Sequence, residues 1–415
     1  MNSVLMVAFQ FPPFSGSSAV QRTLRFVRHL PEFGWMPLVL TAHPRAYEHV
    51  SDDQLDQVPC NTVVKRAFSL DAARHFGIMR RYPARLALPD RWRLWGPPAV
   101  FAGLRMIRKY GPNALWSTFP IPTAHVIGRS LQRRSGLPWI ADFRDPMVQP
   151  SDPDDPEVWR AYEKVERETI AGSRLNVFTT EGTCQLYRSR YPECPGSAFA
   201  VVENGYDEDV FDSVESEDVP QRDSGLLLLH SGAIYPLERD PTQFFLALRE
   251  FILHEPASNL PLRVRLRSSG HDREISKLIA ETGVGQNVEL APAVPYREAI
   301  SEMLGADVLL VLQAGQVKTQ VPAKVYEYLR TRRPILALTD PDGETARVLR
   351  SAGVRHIAPI DSKDAIVSAL RELISTVRAR TATLPDEEYV RRASRRNRAG
   401  ELAALLDQTS TASRR

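Results

Sequence analysis

TQVPAKVYEYLRTRRPILALTDPDGE occupies residues 319–344. After Pro322, Val325, Tyr328 and Leu329 recur at helical spacing, and Pro334 then opens an apolar run to residue 338. The pattern predicts a helix over 324–330 and a buried strand over 334–338, closed by the turn formers Pro341, Asp342 and Gly343. Helix followed by buried strand is the repeating half of a βαβ unit, so this stretch points to a parallel sheet. Lys324 and Glu327 sit three apart on its opening turns. Two explanations are open. They are a solvated i,i+3 pair worth about a few tenths of a kcal/mol. Or Lys324 is a point charge for a phosphate at a helix N-terminus, and Glu327 accepts hydrogen bonds from a ribose diol.

The same alternation fills the chain on both sides of this stretch. Strands are expected over 4–9, 36–41, 114–117, 139–142, 175–179 and 198–202, with helices over 19–30 and 123–134. The acidic stretch 206–224 has few large aliphatic residues after Phe211 and reads as a linker. The alternation then restarts, with strands over 226–230, 262–268, 288–290 and 307–312 and helices over 242–253, 275–281 and 296–304. The expected division is a Rossmann-like domain over 1–205, the linker, a second such domain over 225–385, and an arginine-rich helix and tail over 386–415 that packs back on the first domain.

Bulk properties agree with a soluble globular chain of two or three domains: 415 residues, 43% hydrophobic, 25% charged. A formal net charge of +3 gives no field that calls for nucleic acid. Three cysteines, Cys60, Cys184 and Cys194, lack framework or CxxC spacing, which argues for a reducing compartment and against a zinc site. The run from Val4 to Phe11 lacks a basic leader and a cleavage site, so it reads as a first strand. No stretch approaches ~20 uncharged apolar residues. The expected location is cytoplasmic.

In open parallel sheets ligands sit beyond the carboxyl ends of the strands. FQFPPFSGSSAVQR follows the first strand. Ser15, Gly16 and Ser17 form a small-residue loop before a helix, either a plain capped turn or an anion and sugar contact. It fits neither a P-loop nor GxGxxG. ADFRDP crowds Asp142, Arg144 and Asp145 at a strand end, as a buried ion pair that fixes a loop or as an acid and a base. ENGYD places Asn204 and Gly205 in a turn before the acidic stretch. HSGAIYPLERDP puts Gly232 behind a strand and Arg239 where a guanidinium pairs a diphosphate, or else on a solvated loop. The D-x-D-like matches, in the linker and in SDPDDPE at 151–157, read as solvated loops.

In this order the motifs FPPFSGSSAVQR, WIADFRDP, VENGYD, SGAIY with RDP, ADVLLVL and VPAKVYEYLRTRRPILAL resemble those of the two-domain GT-B glycosyltransferases, specifically the retaining, nucleotide-sugar-dependent family 4. The last is close to that family's P-x-K-x-x-E-Y-L-x-x-x-x-P-I-L. DFRDP is similar to members that assemble bacterial surface polysaccharides. The resemblance covers nearly the whole chain. It implies two Rossmann-like domains facing across a cleft and transfer of a sugar from a nucleotide diphosphate sugar to a glycan or lipid-linked acceptor, with no cofactor; since no D-x-D stands in a suitable loop, no metal is expected. Glu327 takes the place of the second glutamate of E-x7-E, on the donor ribose. Lys324 and Arg239 fall near the diphosphate, with Gly232. Gly16, flanked by Ser15 and Ser17, resembles the loop facing donor phosphate and acceptor. Arg144 and Asp145, with Asp142, lie where many members have a catalytic-site histidine; no histidine stands here. Thr319 replaces the first glutamate of E-x7-E. That departure keeps a second function in view, a catalytically idle GT-B subunit that binds nucleotide sugar or a partner enzyme.

FGIMRRYPARLALPDRWRLWGPPAVFAGLRMIRKYG, 76–111, mixes eight basic residues with Trp92, Trp95 and Phe101 around a single acid, Asp90. It reads either as an interfacial segment on anionic lipid at the inner face of the cytoplasmic membrane or as arginine-laced helices packed on the sheet.

Overall fold

The computed structural model describes residues 1–15, 19–75, 87–149, 153–214, 225–235, 239–254, 261–313, 315 and 318–411. The chain divides into two compact units, Met1–Glu203 with Arg395–Arg415, and Asn204–Ser394.

Unit 1 runs β1 (Asn2–Val7), α1 (Ala19–His29), β2 (Trp35–Ala42), β3 (Val63–Ala67), α2 (Ala72–His75), α3 (Gly96–Tyr110), β4 (Ala114–Thr118), α4 (Pro122–Ser135), β5 (Trp139–Arg144), α5 (Pro156–Gly172), β6 (Leu175–Phe178), α6 (Glu181–Arg190) and β7 (Phe199–Val201). Its sheet has the order β3-β2-β1-β4-β5-β6-β7 among the described residues, and each pairing is parallel. Alternate side chains enter two cores. Leu5, Val7, Leu115 and Phe143 face one; Val4, Met6, Trp116 and Ile140 face the other. Strands buried on both faces read as continuous apolar runs, which is why they stood out in the sequence.

Unit 2 runs α7 (Glu208–Asp212), β8 (Leu226–Ser231), α8 (Thr242–His254), β9 (Leu262–Arg267), α9 (Asp272–Thr282), β10 (Val288–Ala291), α10 (Tyr296–Gly305), β11 (Val308–Leu312), α11 (Lys324–Thr331), β12 (Ile335–Leu338), α12 (Glu344–Ser351), β13 (Ile357–Ala358), α13 (Lys363–Arg378) and α14 (Glu387–Arg392). The parallel order is β10-β9-β8-β11-β12-β13. In both sheets the order reverses beside the first strand, between β1 and β4 and between β8 and β11. Chains leaving these neighbouring strand ends diverge to opposite faces, which opens a crevice there.

Three expectations need correction. The stretch from 206, read as linker, is packed into unit 2 as far as residue 214. Tyr206 and Phe211 are buried in its core, and the Arg330 guanidinium lies 5.0 Å over Phe211 while bonding Glu208. Two aromatics in an acidic run outweigh its charge; 215–224 lies outside the described residues. The segment 386–415 also divides. Asp386 caps α14 by accepting from Tyr389 N, and Val390 and Ala393 join the unit 2 core. The last helix, α15 (Arg395–Thr411), belongs to unit 1, where Ala399, Leu402, Ala403 and Leu406 pack with Leu24 and Val27 of α1. Finally, SDPDDPE is not wholly a loop: Asp155 accepts from Glu157 N at 2.7 Å and Val158 N at 3.2 Å, starting α5.

Of 76–111, residues 76–86 lie outside the described residues. Trp92 and Trp95 belong to the core: their rings lie 4.7 and 5.5 Å from Phe9, and Trp92 Nε1 donates to Ala46 O. Asp90, buried, accepts from Thr123 N at 2.8 Å. For the two tryptophans the packed alternative holds. No described helix is long and apolar enough to cross a membrane.

Candidate functional site

The stretch that opened the sequence reading lies at the β8/β11 switch of unit 2. β8 ends in His230 and Ser231, and His230 points inward on the same side as Leu226 and Leu228. It is fully buried. Its Nδ1 lies 2.8 Å from Leu310 O on β11. A carbonyl oxygen can only accept, so Nδ1 carries the proton and Nε2 is left as an acceptor. Lys324 Nζ, from the first residue of α11, donates to that Nε2 at 3.1 Å. Burial, then the charge of Lys324, hold the imidazole well below its ordinary pKa.

Lys324 is half-buried. Burial of its nitrogen, then the like charge of Arg239, push its pKa down to about 7, against the opposing pull of Glu327. Gly232 makes room for it. The glycine has φ +110°, and a Cβ there would stand 3.1 Å from Nζ. Arg239 is held nearby: its Nη1 donates to Ala233 O at 2.5 Å and its guanidinium lies 5.2 Å over Tyr235.

Glu327 lies a turn further along α11, 9% exposed, and accepts from Tyr296 Oη at 2.6 Å. Next to it, the Tyr328 hydroxyl accepts from Ser231 N at 2.8 Å and ties the helix to the end of β8. The amides of Val325 and Tyr326 are already turned to Pro322 O and Ala323 O. Positive charge at this end of α11 therefore rests more on Lys324 than on those two amides. Along α10, beyond Tyr296, Arg297, Glu298, Ser301 and Glu302 line a recess of about 550 Å³ with Arg265 and Arg267. Thus Gly232, Arg239, Lys324 and Glu327 come together. A solvated surface pair does not describe Lys324 and Glu327: the lysine bonds His230, and the glutamate bonds Tyr296.

In unit 1 the three residues of ADFRDP separate. Asp142 is fully buried and both its oxygens are engaged. Arg22 of α1 donates Nε to Oδ2 at 2.9 Å and Nη2 to Oδ1 at 3.0 Å, and Thr118 Oγ1 donates to Oδ2 at 3.2 Å. Arg22 also reaches Val202 O at 2.9 Å and Glu203 O at 3.1 Å. Asp142 thus clamps α1, β4, β5 and the chain after β7. Of the three acidic and basic candidates in this motif, Asp142 is the one whose two oxygens are both taken up by Arg22 and Thr118.

Arg144 and Asp145 remain half-buried at the end of β5. The β5/β6 register shifts between Asp142 and Arg144, and Arg144 has φ +62°. Thr179 pins this bend, donating N at 3.2 Å and Oγ1 at 2.8 Å to Arg144 O. Burial pushes the Asp145 carboxyl up, against the pull of Arg144, and lowers the Arg144 guanidinium. Arg144 Nε and Gln10 Oε1, both buried, have no hydrogen-bond partner among the described residues, and both residues line a cavity of about 10 Å³ with Thr23 and Thr118. A donor and an acceptor in a space of that size suit one hydroxyl or water.

Ser15 N donates to His49 O at 3.1 Å, and Phe14 pairs with Val50, so the loop after β1 is held against residues 49–50. Gly16 and Ser17 lie outside the described residues. Asn204 is the half-buried first residue of unit 2. Thr319, at the place of the missing glutamate, is half-buried in the loop before α11. The sequence reading missed Arg22, His230, Tyr296 and Tyr328. His230 and Arg22 lay inside motifs already quoted, but only their depth of burial marks them. Nothing in the sequence flags Tyr296.

The sequence matches no family model and no curated protein. Similar solved structures include a glycosyltransferase from Rickettsia africae (12% identity, 98% of each chain covered, TM-score 0.66). HepE of Anabaena in complex with UDP is another (12% identity, 99% of this chain and 98% of that one, TM-score 0.61). A third is the sucrose-phosphate synthase of Thermosynechococcus elongatus (14% identity, 99% and 97%, TM-score 0.60). At such identities the likeness shows the fold. The chain has the GT-B fold, with a seven-stranded and a six-stranded Rossmann-like parallel sheet.

Proposed function

We propose that this protein is a retaining glycosyltransferase of the family 4 type, which moves a sugar from a nucleotide diphosphate sugar to a glycan or lipid-linked acceptor in bacterial surface-polysaccharide or glycoconjugate synthesis. The observation that carries the reading is the joining of Lys324, Arg239 and Glu327 at the β8/β11 switch point, where a ligand belongs in this topology. Two cations answer a diphosphate, and a carboxylate oriented by Tyr296 answers a ribose diol.

In that reaction the leaving diphosphate gains charge while the sugar becomes oxocarbenium-like. Lys324 and Arg239 offset the growing charge from fixed positions, and such preorganised groups are worth about 3–4 kcal/mol each in comparable sites. The charge comes from side chains, so the reaction as proposed needs no metal. In unit 1, Arg144 and Asp145 are the residues proposed to act at the acceptor, with Gln10 beside Arg144 to hold a hydroxyl. The recess along α10 is the proposed place of the nucleotide base. The outer face of α3, where exposed Phe101 stacks under Arg105 beside Arg108 and Lys109, is the part of 76–111 proposed to touch anionic lipid.

Thr319 favours one second reading, an idle subunit that binds the nucleotide sugar without transferring it. The experiment is a thermal-shift panel with UDP, GDP, dTDP and ADP and their sugars, with and without EDTA. A ligand at a hundredfold excess over its Kd stabilises the folded state by about 2.7 kcal/mol. One base should stabilise in EDTA, and Glu327→Ala should remove the shift. Stabilisation without sugar transfer or donor hydrolysis would favour the idle subunit. No shift with any nucleotide would refute both.

A further inference from the structure

His230 has no part in the function proposed above, yet it is fully buried against the residue given the diphosphate. A histidine in an apolar strand end has no need of a lysine. Here its Nδ1 proton is committed to Leu310 O at 2.8 Å, so the lone pair of Nε2 is the fixed partner of Lys324 Nζ. Gly232 closes the other side, with no Cβ to fill the space 3.1 Å from the nitrogen. The remaining charged groups come from every neighbouring element. Arg239, behind β8, opposes protonation of Lys324, and Glu327 of α11 supports it. Tyr296 of α10 acts through its bond to Glu327, and Tyr328 is held neutral, its hydroxyl pushed up by burial.

We propose that His230 is a positioning residue whose Nε2 lone pair fixes the Lys324 amine against Gly232 and Arg239, and that binding of a nucleoside diphosphate at this amine takes up a proton from solution. The inference rests on the donor-site reading. Without ligand, part of the population carries a neutral amine, whose lone pair takes a proton from water or buffer as the diphosphate arrives; one N–H bond forms and His230 stays neutral throughout. The unliganded lysine titrates near neutrality because burial and Arg239 both oppose its charge. A diphosphate brings about two negative charges to the nitrogen and raises that value. The sign follows. Affinity is full below the free value, and as pH rises above it Kd climbs toward tenfold per unit until the liganded value is passed.

Two measurements on the full chain test this. The first needs no ligand: an NMR titration of lysine ¹³Cε-labelled protein, with Lys324→Arg to assign the signal. One lysine should titrate near pH 7 and move down by about one unit in His230→Leu, which removes the acceptor, while His230→Gln, whose amide oxygen accepts, restores it. The second is calorimetry of UDP and of inorganic pyrophosphate in buffers of different ionisation enthalpy, between pH 6.5 and 9. Uptake should approach one proton per bound UDP at pH 8 and vanish in Lys324→Arg. A lysine that titrates only above pH 10 overturns the inference whatever the nucleotides do. Binding without proton uptake overturns it and leaves the donor site standing. A neutral-titrating lysine with no binding of either probe overturns the inference together with the donor-site reading.

Discussion

Asp142 and Asp145 stand three residues apart in one motif, and the structure gives them different surroundings. Replacing Asp142 by Asn keeps its shape and removes its charge, which leaves the Arg22 guanidinium, 7% exposed, without its counter-ion. Breaking a buried pair from one side is destabilising by about 3–5 kcal/mol. For a domain of about 200 residues each kcal/mol moves Tm by about 2–4 °C. Asp142→Asn should therefore lower the melting temperature of unit 1 by about 10 °C. The paired change Arg22→Met with Asp142→Leu should recover much of that, since no charge is then stranded. Asp145→Asn should behave otherwise. Burial raises its carboxyl in the folded state, so ionised Asp145 opposes folding at neutral pH, and the amide should hold Tm or lift it slightly. Its expected loss is in sugar transfer. Urea melts and scanning calorimetry of both variants, with a transfer assay once the donor is known, make the comparison. Asp142→Asn that melts within about 2 °C of the wild type and abolishes transfer would put Asp142 in the chemistry and not in the clamp.

Gly232→Ala puts a methyl group 3.1 Å from Lys324 Nζ at φ +110°, so it should destabilise by about 1–3 kcal/mol and weaken nucleotide binding at least tenfold; an unchanged Kd would remove Gly232 from the site. Lys324 loses its proton on folding between about pH 7 and 10.5, so wild-type stability should gain on Lys324→Met by about 1 kcal/mol per pH unit across that window. Urea melts at pH 7, 8 and 9 check this, and a gap that stays constant would refute the burial of that charge. Leu402→Ala on α15 should lower unit 1 stability by about 2–5 kcal/mol in denaturant titrations, because Leu402 is 1% exposed in the core with Leu24 and Val27. An effect below 0.5 kcal/mol would mean the helix is not docked.

What the amino-acid order determined alone was periodicity. Strands such as Leu226–Ser231 and Val308–Leu312 are apolar on both faces because helices cover both sides of a parallel sheet, and that pattern is local. So the α/β class, the two halves and most strand positions were legible; Gly232, Arg239, Lys324 and Glu327 could be picked out as candidates because they follow strands or open a helix. Elements without such a pattern escaped. β3 (VVKRA) is a half-exposed edge strand with two cations, and the acidic run after 206 hid the two aromatics that anchor it. Partners were not legible at all. Arg22 and Asp142 lie 120 residues apart, and His230 and Lys324 lie 94 apart. A sequence records the period of a strand but not which strand lies beside it. Only the crossover order, with β1 beside β4 and β8 beside β11, brings their ends together. Burial there then decides that one carboxylate becomes a clamp, that the pKa of the carboxyl two residues past Phe143 is pushed up, and that the pKa of a lysine is pushed down.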